Sequence, residues 1–358
     1  MNLSPEIKAQ LAEQKKQCIF CKLISGEMEA KKVFEDNLTI GMVDIHPAMK
    51  GHTLFMLKEH YPIMPYIPPE EFQHIFGLIP QMCKSVQKAM VSTSVNVFIA
   101  NGGPAGQQAP HFLIHIFPRE NGDGFFNFFW KEKESLDEEA TKILAHNFPL
   151  MMQNHFGRVP APWHKGKGER PSHLINIDER GTVLYEDERA LCMLLKKGMV
   201  KGHIEIYSKE EKSEIGKLSI ESSAHLFYVA SFAATLVFEG LKVHATNIIL
   251  KSGYADDNPE GKLCIHVLPR MQDDGLNKSL LWEPKQPSYD LDSVMKKIKD
   301  NTWNIKYLEE KKETKKEDVF VKPEVIKLNI NSEENEDFDE EPSSHEDEIK
   351  KAIERITN

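Results

Sequence analysis

Residues 33–60 read VFEDNLTIGMVDIHPAMKGHTLFMLKEH, and 151 positions later residues 184–211 read LYEDERALCMLLKKGMVKGHIEIYSKEE. The same offset carries Glu35-Asp36 onto Glu186-Asp187 and Gly51-His52 onto Gly202-His203. It also carries HIFPR (115–119) onto HVLPR (266–270) and Gly124 onto Gly275. One constant offset, with matches at turns and strand ends, marks an internal repeat and therefore two structural units that share a plan. The 358-residue chain divides accordingly into an N-terminal helix (1–17), a first copy (18–135), a linker (136–172), a second copy (173–286) and a charged C-terminal tail (287–358).

Within a copy the periodicity changes along the chain. Segments 39–44 and 52–57 are short and β-rich. In 69–91 the apolar residues Phe72, Ile75, Phe76, Ile79, Met82, Cys83 and Val86 recur at helical spacing, behind Pro69, Glu70 and Glu71, which suit a helix start. Two further strands, 95–100 and 111–117, flank a glycine-rich loop. The expected fold class is α+β, each copy an antiparallel sheet covered on one side by a helix. A helix is also expected over 5–16 and a charged helical segment over 290–312. An acidic, partly disordered stretch follows at about 331–342. The chain ends in a short amphipathic helix with Ile349, Ala352, Ile353 and Ile356 on one face, where Ser344 and Asp347 resemble a capping box. That end is a candidate docking element for a protein partner.

Charge and cysteine usage narrow the class. The net charge of −10 argues against nucleic acid, although seven of the nine residues 333–341 are acidic and belong to the tail. No apolar run approaches the roughly 20 residues of a membrane span, and the charged N-terminus lacks a signal-peptide core. Of five cysteines (Cys18, Cys21, Cys83, Cys192, Cys264) only Cys18-x-x-Cys21 forms a motif, which points to a reducing, cytoplasmic setting and a metal rather than disulfides. Two thiolates make half of a tetrahedral zinc site.

The stretch NGGPAGQQAPHFLIHIFPR (101–119) carries the chemistry. In a strand, His111, Leu113 and His115 share one face while Phe112, Ile114 and Ile116 share the other. The preceding glycines let backbone N–H groups approach an anion, with Gln107 and Gln108 as further donors, although Asn-Gly-Gly is also an ordinary hairpin turn.

Together with CIFCKLISGE, the 33–60 segment and GDGF followed by Trp, this stretch resembles the histidine triad (HIT) superfamily of nucleotide hydrolases and transferases over essentially all of the first copy. The resemblance implies a His-x-His-x-His strand whose middle histidine attacks the α-phosphorus of a nucleotide. That position here is Leu113, and leucine has no lone pair to attack with. His111 and His115 each lie about 7 Å along the strand from it. What the resemblance still implies is recognition of a purine nucleotide. Asp44 matches the acid on the ribose hydroxyls, and Asn101, Gly106, Gln107 and His115 match positions around the phosphate. It also implies a structural Zn²⁺ held by Cys18, Cys21, His60 and His111.

In the second copy Lys262, Cys264 and His266 replace that triad. Glu169, Ser172 and Glu211 replace Cys18, Cys21 and His60, and Leu195 replaces Asp44. The expectation is a nucleotide-binding protein lacking the usual hydrolase or transferase reaction, its second copy chiefly a partner in an intramolecular pseudo-dimer. Two alternatives stand beside it: an active enzyme with Cys264 as nucleophile, its pKa lowered by Lys262 and His266, and a scaffold with a vestigial pocket.

Overall fold

The computed structural model describes residues 5–131, 136–156 and 169–307. The acidic stretch and the terminal helix expected from sequence lie outside the described residues. Helices α1 (Pro5–Gln17) and α2 (Ile19–Ser25) precede strands β1 (Lys32–Glu35), β2 (Thr39–Val43) and β3 (Thr53–Leu57). Helix α3 (Pro69–Met90), β4 (Ser94–Asn101) and β5 (Ile114–Arg119) complete the first half. After α4 (Glu138–Phe156), the second half repeats the order as β6 (Gly181–Glu186), β7 (Ala190–Leu195), β8 (Ile204–Ser208), α5 (Ile220–Gly240), β9 (Ala245–Gly253) and β10 (Cys264–Arg270). The short α6 (Asn277–Leu280) and α7 (Leu291–Thr302) follow.

All ten strands join one antiparallel sheet in the order β1-β2-β3-β5-β4-β9-β10-β8-β7-β6. The order mirrors itself about the β4–β9 seam, where Ser94 to Asn101 pair with Gly253 to Thr246. Phe98 faces Ile249, the residue 151 positions further on, so a pseudo-two-fold axis passes between them. Helices α3 and α5 cover one face and pack on each other there. The rings of Phe76 and Phe227, again 151 apart, stack at 4.6 Å, and Ser223 Oγ donates to the Phe76 carbonyl at 2.7 Å. Every apolar position singled out in α3 is buried. Burying a phenylalanine contributes roughly 2–3 kcal/mol, so this stripe fixes the helix to the sheet.

Three buried polar motifs recur in both halves. Arg119 and Arg270 are fully buried, each with Nε donating to an aspartate four residues on, Asp123 or Asp274, at 2.6 Å. His74 meets Asp36 at 2.8 Å and His225 meets Asp187 at 2.7 Å. The third motif, an imidazole pair, belongs to the site below. Buried charge survives where its partners and hydrogen bonds are supplied.

Four expectations change. The segment read as a linker contains α4, whose Leu144, Phe148 and Met152 are buried among the core residues. The start of the charged tail folds back as α7, capped by the Asp290 carboxylate. It buries Val294 and Ile298 against the first half, and Thr302 Oγ1 donates to the Val33 carbonyl. Among the described residues one helix, α5, is long and apolar enough by length and composition to cross a membrane, and here it is a core helix under the sheet. The strand expected over 111–117 is β5 and starts at Ile114, yet the alternation holds: Phe112, Ile114 and Ile116 enter the core while His111, Leu113 and His115 face a cavity.

Candidate functional site

Cys18 caps the start of α2, and Cys21 stands one turn later on the same face. His60 follows β3 and His111 precedes β5, so four sequence-distant donors converge within 4.8 Å of one another. His111 Nε2 lies 3.0 Å from the Leu57 carbonyl, to which it donates. This leaves the Nδ1 lone pair facing both sulfurs, at 3.6 Å from each, and His60 Nδ1 lies 3.3 Å from Cys21 Sγ. In a tetrahedron with Zn–S near 2.3 Å and Zn–N near 2.05 Å, a sulfur–nitrogen edge is about 3.6 Å. The donor set, its spacing and the carbonyl that fixes the His111 tautomer therefore fit a zinc ion. The Cys21 thiol hydrogen-bonds the Cys18 sulfur and pulls the Cys18 thiol far down, with His111 and His60 helping, while Cys18 pushes Cys21 up. His60 Nε2 is buried with no hydrogen-bond partner among the described residues.

Beside this cluster lies a cavity of about 400 Å³, within the range of small-molecule sites. Helix α2 supplies Ile19, Phe20 and Leu23 to its wall, and Asp44 follows β2. Leu113 packs with Ile40, Met42, Leu54, Met56, Phe20 and Leu23 in an apolar cluster.

Of the other residues singled out from sequence, His115, Gly106 and Gln107 also line the cavity, whereas Asn101 does not. The Asn101 amide braces its surroundings instead, accepting from Met64 N at 3.1 Å and donating to Thr246 Oγ1 at 3.4 Å. Gln107 accepts from Gly102 N at 2.9 Å and donates to the Pro62 and Ala109 carbonyls at 2.5 and 3.0 Å. Gly106 has φ +92°, and a Cβ there would lie 2.4 Å from Leu281. Only glycine admits both that backbone and that approach.

His52, two residues ahead of Leu54, completes a chain of donors that sequence reasoning passed over. Ala48 N–H donates to His52 Nδ1 at 3.3 Å, so His52 Nε2 carries the proton and donates to His115 Nδ1 at 3.0 Å. His115 is left with its proton on Nε2. Burial drives the pKa of both imidazoles down to about 3, which keeps them neutral. Asp44 Oδ2 lies 3.3 Å from His52 Nδ1, and its Oδ1 accepts from His46 N at 2.9 Å. The second half repeats the chain through Met199 N, His203 and His266 at 3.2 and 3.1 Å, with Leu195 in place of the acid. The backbone amide holds the imidazoles in both halves, so Asp44 is not needed for that purpose. The Gly-His dipeptide shared by the two repeats was the available signal.

In the second half the corresponding hollow is filled. Glu205, Tyr207 and Lys251 stand where the first half has Leu54, Met56 and Ala100. Arg180 Nη1 sits 3.0 Å from Glu205 Oε2 and donates to the Tyr207 hydroxyl at 2.6 Å. Lys251 Nζ donates to the Phe128 and Asp257 carbonyls at 2.8 and 3.0 Å and lies 3.6 Å from the Trp130 ring centre. Burial lowers its pKa to about 8. Cys264 is buried among Leu191, Met193 and Tyr207, and that burial raises its thiol well above the ordinary range. The expected activation by Lys262 is not seen: Lys262 points outward and pairs with Glu260. Serine and glutamate replace the metal donors by a hydrogen bond, Ser172 Oγ to Glu211 Oε1 at 3.2 Å.

Each half also reaches across the axis. Trp282, from the second half, packs edge-on against His52 and His115 at 5.5 and 5.2 Å, and Trp130, from the first, packs edge-on against His203 and His266 at 5.9 and 5.0 Å. The repeated Gly-rich turn before a tryptophan hinted at these residues but not at which half they serve.

The HIT domain family model matches residues 25–122. The adenylylsulfatase HINT3 of Arabidopsis thaliana is 32% identical over 38% of this chain and 71% of its own length. An uncharacterized HIT-like protein of Methanocaldococcus jannaschii is 39% identical over 35% of this chain and 98% of its own. The adenosine 5'-monophosphoramidase hnt1 of Schizosaccharomyces pombe is 34% identical over 35% and 92%. With the Methanocaldococcus and Schizosaccharomyces relatives spanned nearly end to end at 39% and 34% identity, the chain belongs to the HIT family.

Proposed function

We propose that this protein binds a nucleotide in the first-half cavity and does not attack it. The observation that carries this reading is Leu113, held in an apolar cluster at the nucleophile position between His111 and His115. His111 is turned toward the thiols and His115 has Nδ1 engaged by His52 and its proton on Nε2, so neither presents a lone pair to a phosphorus atom. Asp44, not required to hold His52, is free to accept the ribose hydroxyls. His115 Nε2–H is an uncharged donor for the ligand.

A zinc ion on Cys18, Cys21, His60 and His111 is structural in this reading. It ties α2 to the β3 and β5 ends and so sets the wall formed by Ile19, Phe20 and Leu23. The repeat offset, the mirrored strand order and the crossed tryptophans support the halves being two copies of one domain that form a pseudo-dimer within a single chain. The second half then acts as partner rather than as a second site.

The test is incubation of the zinc-loaded full chain with adenosine 5'-phosphoramidate and adenosine 5'-phosphosulfate, following binding heat and released AMP together. Binding without AMP release, weakened by Asp44→Ala, is expected. Release that scales with protein and survives repurification overturns the reading.

A further inference from the structure

If the cavity is a nucleotide site as proposed, its lining also says how much charge the ligand carries, and the inference rests on that reading. Around the place for a phosphate, most of the polar groups are already spent, apart from the exposed Gln108 side chain and the His115 imidazole. Gln107 uses both amide hydrogens on the Pro62 and Ala109 carbonyls, and the Asn101 amide faces Met64 and Thr246. The loop amides of Ala105, Gly106 and Gln107 donate to the carbonyls of Gly102, Gly103 and Gly102 within the loop, and that of Gly102 to Gln107 Oε1. An anion nest needs such N–H groups turned outward.

The charged groups point the same way. Among the described lining residues Lys31 is the one lysine or arginine, and its Nζ is 2.6 Å from Asp292 of α7. Glu29 and Asp44 add two carboxylates to the lining. His115 donates without carrying charge, and Leu113 presents methyl groups where the phosphate would sit. The apolar side, by contrast, offers Ile19, Phe20 and Leu23 to a flat base, with Asp44 placed for a diol.

We propose that the cavity selects a nucleoside or a nucleoside ester of low charge, reading base and ribose, and disfavours each added phosphate charge. A phosphate charge about 7 Å from Asp44 in a water-like dielectric costs about 0.6 kcal/mol, equivalent to about threefold in affinity.

The experiment is calorimetric titration of the zinc-loaded full chain with adenosine, AMP, ADP and ATP, and with guanosine and its phosphates, at one fixed ionic strength. Adenosine or guanosine is expected to bind at least as tightly as its monophosphate, with a further loss of about threefold for each additional charge. A monophosphate that binds tenfold tighter than its nucleoside, or a triphosphate that binds tightest, overturns the proposal and leaves the nucleotide site standing. No binding by any of the eight ligands, or binding that Asp44→Ala leaves unchanged, sinks the nucleotide reading itself. A second measurement uses Leu113→His, with zinc content as the folding control. Its added donor is expected to raise the monophosphate-over-nucleoside ratio about tenfold. A ratio unmoved in a zinc-loaded variant counts against Leu113 as the discriminating residue.

Discussion

The two halves share a frame and differ at their sites. Both keep the buried arginine with its aspartate, the His–Asp pair beside the helix, and the chain from a backbone amide through two imidazoles. The differences lie on the cavity side. The first half has Asp44, Leu54 and Ala100 around a hollow, with Met56 in the apolar cluster beside Leu54, and the second has Leu195, Glu205, Tyr207 and Lys251 at these positions. One half has two cysteines and two histidines in a geometry that fits a metal, and the other has a serine hydroxyl on a glutamate. Groups retained on both sides serve the fold in both, whatever else His115 does for a ligand, and groups present on one side alone are the ones that only a ligand explains. Asp44 passes that comparison and His52 does not.

The shared frame is broken most severely by acid. His52, His115 and His203 have folded-state pKa values near 3, and His266 lies well below its usual value. Their unfolded values are about 6.5, so the unfolded chain binds the protons. Stability is full above pH 6.5 and drains as pH falls toward 3, by about 1.4 kcal/mol per pH unit for each imidazole. Urea denaturation with chelator present, at pH 7.5, 6.5 and 5.5, is expected to show little change over the first step. A loss of about 4 kcal/mol follows over the second. A flat profile between 6.5 and 5.5 would mean the imidazoles charge freely in the folded state.

The metal comparison comes next. Cys18→Ser with Cys21→Ser should abolish bound zinc, found by metal analysis at about one per wild-type chain, and cost at least about 3 kcal/mol. The matching change in the second half, Ser172→Ala, removes one exposed hydrogen bond and should cost about 1 kcal/mol or less. Equal losses would erase the distinction drawn here. Asp44→Ala should weaken ligand binding by about 2 kcal/mol and shift Tm by less than about 2 °C, because the amide still holds His52. A collapse in Tm would return Asp44 to the frame. Calorimetric stoichiometry should remain near one ligand per chain, since Leu195 cannot take a ribose.

Much of the frame was legible because period-2 and helical spacings in the first copy translate directly into strands and a covering helix. The α4 segment was not, although Leu144, Phe148 and Met152 recur every four residues. Pro149 sits inside that pattern and reads locally as a helix breaker, and the buried face appears only once α5 is placed against it. The Cys18, Cys21, His60 and His111 cluster was readable from a two-cysteine motif and the family resemblance. The filled second site was not, because a glutamate, a tyrosine and a lysine at alternating strand positions look like a solvated face until Arg180 is brought beside them.

The crossed tryptophans carry a consequence for how such a molecule changes over time. Each site is walled partly by the opposite half, so neither half can be released as a self-sufficient module. Two identical chains related by an axis must alter both of their sites with every mutation. Two halves on one polypeptide are always made together in equal number, and each of their positions is inherited separately. Covalent linkage is what lets one site fill with charge while its neighbour stays open.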